Sequence, residues 1–188
     1  MINKRLQNIL IAMMKKDQEI RSSFFHYRKK EDSKNSSKND SKNNKKVKFY
    51  KIDKANTEKL KIIIEQYGWP NEKLVGKKAC LAAWLIAQHA DHDVRFQKRC
   101  LKILEKEVDK KTISTQNLNS YLALLTDRLL VNSGKYQKYG TQFYRNKKGE
   151  YKNRPIADIK NLEKRRRSMG LEPFKVYKKR MLDFYKNT

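Results

Sequence analysis

The segment Ala83-Trp84-Leu85-Ile86-Ala87-Gln88-His89-Ala90-Asp91-His92-Asp93 constrains this chain more than any other. An almost wholly apolar helix runs directly into two histidines and two aspartates. A helix that is apolar on every side packs in an interior, so its terminal polar groups are delivered to a core or a cleft. Charge there is unfavourable unless it is paired or used. The chemistry of the chain is therefore sought first at this helix end.

The rest of the chain is read mainly as helix. Residues 2–25 place Leu6, Ile9, Leu10, Met13, Ile20 and Phe24 on one stripe at helical spacing. Asp53 or Asn56 is expected to cap a second helix that ends at Tyr67, before Gly68 and the turn Trp69-Pro70. A third helix covers Lys77–His89. A fourth is capped by Asp91 or Asp93 and turns Phe96, Cys100, Ile103, Leu104 and Val108 inward. The next runs from Thr115 or Asn117 to Asn132, and two more cover Ile159–Met169 and Pro173–Lys186. Residues 139–153 lose the helical period and read as a short β-hairpin over the glycine-containing turn Asn146–Gly149. The expected architecture is mainly α: one domain over residues 1–188, a bundle of about six helices with a small hairpin.

At 188 residues, with 38% apolar and 35% charged side chains, the chain can bury a real core under an over-represented surface. The formal charge of +26 attracts polyanions or anionic surfaces at long range. Much of the excess is lysine among asparagines, which a solvated face also accommodates. Residues 28–48 hold nine Lys/Arg against three acids, net +6, with no apolar periodicity. They read as a disordered basic loop. Cys80 and Cys100 fall at apolar-facing helical positions, which points to a reducing compartment and a cytoplasmic location. The apolar run Ile9–Met14 is too short to span a membrane. Lys15-Lys16-Asp17 follows it instead of a small-residue cleavage site, so neither a membrane anchor nor a secretory signal is expected.

Four groups of polar residues carry the chemical expectation. Asp17 lies near the middle of the first apolar stripe, with Arg21 one turn later. They form either a local ion pair or a polar cluster aimed into a pocket. His89 is a general acid or base oriented by a carboxylate, a structural cap, or, with Asp91 and Asp93, part of a weak metal-ligand set that lacks a fourth partner. Asp127 sits in Leu122–Val131, a helix apolar nearly all round, so it should be at least partly buried and neutralised by Arg21, Arg128 or His89. The loop Gln137-Lys138-Tyr139-Gly140-Thr141-Gln142 gathers amides and hydroxyls around a glycine that permits close backbone approach. It either holds an oxyanion or a base edge, or satisfies its own backbone ahead of the hairpin. Lys164-Arg165-Arg166-Arg167 is a further basic cluster, suited to phosphates or to a solvated face. No phosphate-loop glycine pattern, redox-cofactor motif or paired-cysteine zinc spacing is present, so no cofactor is expected.

Several of these segments also occur together and in order. Asp17-Gln18 with Arg21, Tyr67-Gly68-Trp69-Pro70, Val75-Gly76, Ala82–Asp91 and Phe96-Gln97 form the first part of the pattern. Tyr121-Leu122, Leu125-Thr126-Asp127-Arg128, Gln137 with Tyr139–Gln142, Pro155-Ile156, Arg165-Arg166 and Gly170-Leu171 continue it. In this the chain resembles, over nearly its whole length, a bacterial family with no assigned activity, domain of unknown function 6624. The Lys/Asn-rich segment 28–48 departs from that family as an insertion. The resemblance implies a shared polar set of Gln18, Arg21, Gln88, His89, Asp91, Asp127, Arg128, Gln137 and Gln142, and supplies no reaction.

The functional expectation is a small helical enzyme, a hydrolase or group-transfer catalyst. His89 moves a proton and Asp127 or Asp91 orients it. Arg21 and Arg128 bind an anionic or phosphorylated small molecule. Asp17, Gln18, Gln88, Gln137, Tyr139 and Gln142 shape the rest of the site. The rival is a basic module that binds nucleic acid or another polyanion through residues 28–48 and Lys164–Arg167. A third reading is a structural or immunity-type protein whose polar cluster only specifies helix packing.

Overall fold

Leu6, Leu10, Met13 and Ile20 recur three, four and seven residues apart, and in the computed structural model all four are buried along one side of α1 (Lys4–Asp32). The structure describes residues 1–32 and 39–187, with side chains left aside at 24–46, 109, 115, 116 and 187. Phe24, expected on the same stripe, lies outside the described side chains. The chain is mainly α-helical with a small two-stranded hairpin. Its contacts fall into two groups, Met1–His92 and Asp93–Asn187, and each is built as follows.

In the first unit, α1 packs on α2 (Asn39–Tyr67) and on α4 (Lys77–Gln88), and α2 also meets α4. Helix α4 is lined by Ala79, Ala82, Ala83 and Ala87, all buried, whose small side chains let neighbouring helices approach closely. Leu60, Ile63 and Ile64 of α2, with Trp69, Val75 and Trp84, complete the core. The single turn α3 (Glu72–Val75) is capped by Asn71, whose side chain accepts the Leu74 N–H at 3.0 Å. Gly76 then turns the chain into α4 at φ 77°, a left-handed conformation that a Cβ makes unfavourable. A Cβ there would also lie 2.9 Å from Gln7 Nε2. That amide donates to Val75 O at 2.8 Å and fastens α1 to the α3–α4 corner.

Two sequence expectations change in this unit. The backbone is helical to Asp32 and again from Asn39, where a solvated loop was expected; residues 33–38 of that segment lie outside the described residues. Lysine and glutamate are good helix formers, and extending an existing helix is far easier than nucleating one. Asp53 and Asn56 consequently cap nothing. Both lie in the interior of α2 and are buried.

In the second unit, α5 (Val94–Lys110) and α6 (Thr115–Asn132) form a helical hairpin. Asp93 caps α5 by accepting the Phe96 N–H at 2.9 Å. Phe96, Cys100 and Leu104 point inward as expected, whereas Val108 is 47% exposed. The inward position in that last turn belongs to Glu107, buried with its carboxylate bonded to the Thr112 hydroxyl and Lys110. Strands β1 (Phe143–Arg145) and β2 (Tyr151–Asn153) pair antiparallel, with Tyr144 opposite Lys152. The Asn146 side chain accepts the N–H groups of Lys148 and Glu150 and so closes their turn. A 3₁₀ turn (Ile159–Asn161) leads into α7 (Leu162–Ser168), and α8 (Phe174–Asn187) packs on β2 and α7. Among the described residues no helix is long and apolar enough to cross a membrane.

Candidate functional site

The first polar cluster is assembled from three helices of the first unit. Asp17 occupies a core position of α1 and is 1% exposed. A buried carboxylate needs donors on each of its oxygens. Asp17 receives Gln18 Nε2 at 2.7 Å, Arg21 Nε at 3.0 Å and His89 Nδ1 at 3.0 Å. His89 stands at the C-terminal cap of α4, its backbone N–H bonded to Leu85 O at 3.0 Å, so the end of the apolar helix fixes where the ring begins. An ionised carboxylate only accepts hydrogen bonds. With Asp17 ionised, Nδ1 is therefore the donor in this contact.

Arg21 reaches both ways. Its Nη2 lies 3.0 Å from Asp17 Oδ1 and 2.6 Å from Asp53 Oδ1 on α2, and its guanidinium sits 4.3 Å over the Phe49 ring. The expected i,i+4 ion pair is thus present, and a second carboxylate shares it. The two acids are pushed apart in pKa. Burial raises Asp17, but the hydrogen bond and charge of His89, then those of Arg21, outweigh it and hold the group at about 2. Burial raises Asp53 to about 6, with Arg21 pulling down and the charges of Asp17 and Asp91 pushing up. One carboxylate stays ionised while its neighbour titrates near neutrality. Such a split is how sites assign acid and base roles.

Sequence reasoning gave Asp53 only a capping role. The signal was nonetheless present, because Asp53 continues the spacing of Asn56, Leu60, Ile63 and Ile64. A carboxylate on that stripe is as anomalous as Asp17 on its own. Of the other expected residues of this unit, Gln88 is buried on α4 and Asp91 acts on Asp53 through its charge. Asp93 is the α5 cap, and His89 is engaged with Asp17. Among the described residues no group of three or more His, Cys, Asp or Glu side chains is placed to hold a metal ion.

The second cluster belongs to the second unit and is built around Asp127, which is fully buried on α6. The expected partners were arginine or histidine; the following loop instead offers it backbone donors. Oδ1 accepts the N–H groups of Lys138 and Tyr139 at 2.6 and 2.9 Å. Oδ2 accepts the Thr141 N–H and hydroxyl at 2.9 and 3.0 Å. The loop is a nest of amides whose anion is supplied by the chain itself.

Gln137 imitates a strand in the same loop. Its Oε1 accepts Gln142 N–H at 2.8 Å, and its Nε2 donates to Gln142 O and Arg154 O at 3.2 and 2.7 Å. Gln142 Oε1 accepts from Arg128 Nη1 at 3.3 Å. Tyr139 O accepts Arg166 Nη1 at 2.5 Å, and Arg166, 1% exposed, also donates to Glu172 O. Arg165 donates to the carbonyls of Lys138, Ala157 and Asp158. Two of the four cations of Lys164–Arg167 are therefore struts of the loop. Gly140, at φ 73°, brings its backbone against the Phe174 ring, where a Cβ would sit at 2.8 Å. Of the two readings offered for this loop, the geometry matches self-satisfaction of its backbone.

The fold and these clusters define a mainly helical protein with a hairpin, a buried Asp–His–Arg–Asp cluster and a carboxylate-anchored loop. The chain belongs to a family of unknown function, DUF6624, whose match covers residues 4–187 and bears out the resemblance seen in the motifs. No curated protein and no solved structure matches it.

Proposed function

We propose that the protein is a small enzyme of the hydrolase or group-transfer type in which His89 moves a proton through Nε2. The observation that carries this reading is the 3.0 Å contact between His89 Nδ1 and the ionised, buried Asp17. A carboxylate behind the imidazole fixes its tautomer and stabilises the imidazolium that forms when Nε2 takes a proton from water or a hydroxyl. Asp17 is the positioning residue. Of the orienting groups expected from the sequence, Asp91 acts on Asp53 through its charge, and Asp127 is bonded to the backbone of the loop 137–142.

Arg21 changes role in this reading. Its charge is balanced by Asp17 and Asp53, so it holds the two carboxylates in register instead of meeting an anionic substrate. Asp53, titrating near neutrality beside it, is the second group able to exchange a proton. The buried free thiols of Cys80 and Cys100 suit a reducing, cytoplasmic setting.

The test is hydrolysis of p-nitrophenyl esters and p-nitrophenyl phosphate by wild type, His89→Asn and Asp17→Asn, with folding followed by circular dichroism. The reading expects turnover lost in folded His89→Asn and reduced about a hundredfold or more in folded Asp17→Asn. Turnover unchanged in folded His89→Asn, or unfolding of both variants with no activity in wild type, would leave the cluster as a helix-packing device.

A further inference from the structure

Neither basic segment singled out by the sequence supplies a row of exposed cations among the described side chains. Arg165 and Arg166 turn inward onto main-chain carbonyls, and the side chains of residues 28–46 lie outside the described residues. Helix α5 supplies one. Phe96, Cys100, Leu104 and Glu107 are buried on one side of it. On the other side Arg95, Lys98, Arg99, Lys102 and Lys106 are all exposed. At 3.6 residues per turn these five positions fall within about 100° of arc, opposite the buried side. Glu105, the one acid between Val94 and Lys106, stands at the margin of that arc, and the row closes at Lys106, ahead of the acid Asp109.

Such a row works against the helix that carries it. Arg95–Lys98, Arg95–Arg99, Lys98–Lys102, Arg99–Lys102 and Lys102–Lys106 are like-charge neighbours three or four residues apart, and each pair is unfavourable. Arg95 also stands in the first turn, where the helix dipole disfavours a cation, and that turn holds no acid. A face that met only water would be served better by alternating signs. Among the described residues no ion pair or hydrogen bond engages the side chains of Arg95, Lys98, Lys102 or Lys106, so their charge is open to a partner.

We propose that the outer face of α5 binds the phosphodiester backbone of a double-stranded nucleic acid, with Arg95, Lys98, Lys102 and Lys106 on phosphates. From Arg95 to Lys106 the helix rises about 16 Å. Its five cations therefore stand at one per about 3.3 Å of axis, close to the ~3.4 Å of axis for each phosphate of one duplex strand. That density suits a regular, rigid line of anions, which scattered surface carboxylates do not present. No aromatic residue lies on the exposed arc among these cations, so the face lacks the stacking platform that single strands use. An anionic membrane surface would need the apolar side of the helix, and in α5 that side is buried. Contacts of this kind hold a duplex without reading its sequence. The face uses no residue of the His89 cluster and does not rest on the proton chemistry proposed there.

The experiment is fluorescence anisotropy of the full chain with a labelled DNA duplex, a labelled RNA duplex and labelled oligothymidylate, with co-sedimentation on phosphatidylglycerol vesicles, each over a salt series. Two triple variants are compared. One is Lys98→Gln, Lys102→Gln, Lys106→Gln on α5. The other, Lys175→Gln, Lys179→Gln, Lys186→Gln, removes the same charge from exposed positions of α8. Glutamine is as good a helix former as lysine, and circular dichroism confirms folding. The proposal expects a duplex to be bound more tightly than the single strand, and the preferred duplex identifies the source of the backbone. The α5 variant should lose about tenfold or more in duplex affinity, with the salt slope lowered by about three. Lys102→Gln alone should lower the slope by about one, and the α8 variant should leave it unchanged. No duplex binding at low salt, equal losses in the two triple variants, tighter binding of oligothymidylate, or binding of vesicles alone would each overturn the proposal.

Discussion

Arg21 Nη2 lies 2.6 Å from Asp53 Oδ1, a helix away, and 3.0 Å from Asp17 Oδ1 on its own helix. A single guanidinium thus joins α1 to α2 through two buried carboxylates, and His89 of α4 joins the same group through Asp17. The pH and mutational behaviour of the first unit follows from this arrangement.

Stability should depend on pH in opposite senses through the two acids. Asp17, lowered to about 2, contributes stability that is present above its unfolded value near 3.8 and is lost as pH falls through about 2. Asp53, raised to about 6, contributes stability that is present below 3.8 and is lost as pH rises through about 6. Urea denaturation of wild type and Asp53→Asn between pH 4 and pH 7 isolates the second effect. Wild type should lose on the order of 1–2 kcal/mol relative to the variant across that window. A constant difference would mean that Asp53 titrates as an ordinary carboxylate.

Asp17→Asn should destabilise more than Gln18→Ala, although both remove a donor–acceptor pair in the same turn. The first strips the charge between His89 and Arg21 and leaves a cation with one partner, a loss of about 2–4 kcal/mol. The second removes one side-chain hydrogen bond, about 1 kcal/mol. Chemical denaturation of the two variants at pH 7 gives the order.

Asp127→Ala should release the loop 137–142 before it affects the helices. The N–H groups of Lys138, Tyr139 and Thr141 lose their common acceptor in a buried place, at about 1–3 kcal/mol for each group left unsatisfied. Amide hydrogen exchange should show these three positions losing protection while α5 and α6 keep theirs. Uniform loss across the second unit would show the carboxylate to be part of its global core.

Two glycines separate backbone strain from steric conflict. Gly134 and Gly140 have φ of 71° and 73°, so an alanine is strained at both by about 1 kcal/mol. Only at Gly140 would the new methyl strike a ring, that of Phe174 at 2.8 Å, while nothing lies within 4 Å at Gly134. Gly140→Ala should therefore cost about 1–3 kcal/mol more than Gly134→Ala. Equal melting temperatures would contradict the close approach.

What could be read in the sequence was what apolar spacing encodes. The stripes of α1 and α4 to α6 set their positions, and Asp17 and Asp127 were visible as acids on apolar faces. The end of α6 at Asn132 was legible because Ser133 and Gly134 follow it, and its start at Thr115 was one of two readings, Thr115 or Asn117. The first half of α2 was not legible, since Lys and Asn carry no apolar period there even though the backbone continues as helix. That omission hid Asp53, which looked like a helix start instead of an interior acid.

The partners of Asp127 were illegible for another reason. Backbone amides are offered by every residue, so nothing in Lys138, Tyr139 or Thr141 marks them as the ligands of a carboxylate. Arg21, Arg128 and His89 were the visible candidates by charge. The same blindness concealed the inward turn of Arg165 and Arg166, whose acceptors are main-chain carbonyls. Charge runs show where cations are in the chain and say little about which face water.

The central claim is that Asp17 holds His89 with a proton on Nδ1, the arrangement on which the proposed role of Nε2 rests. Long-range ¹⁵N–¹H correlation spectra of the His89 ring near neutral pH test it directly, in wild type and in Asp17→Asn. The account predicts that the neutral form of the ring carries its proton on Nδ1 in wild type, with that preference lost in the variant. A neutral ring protonated on Nε2 in wild type, or the same tautomer in both proteins, would contradict it.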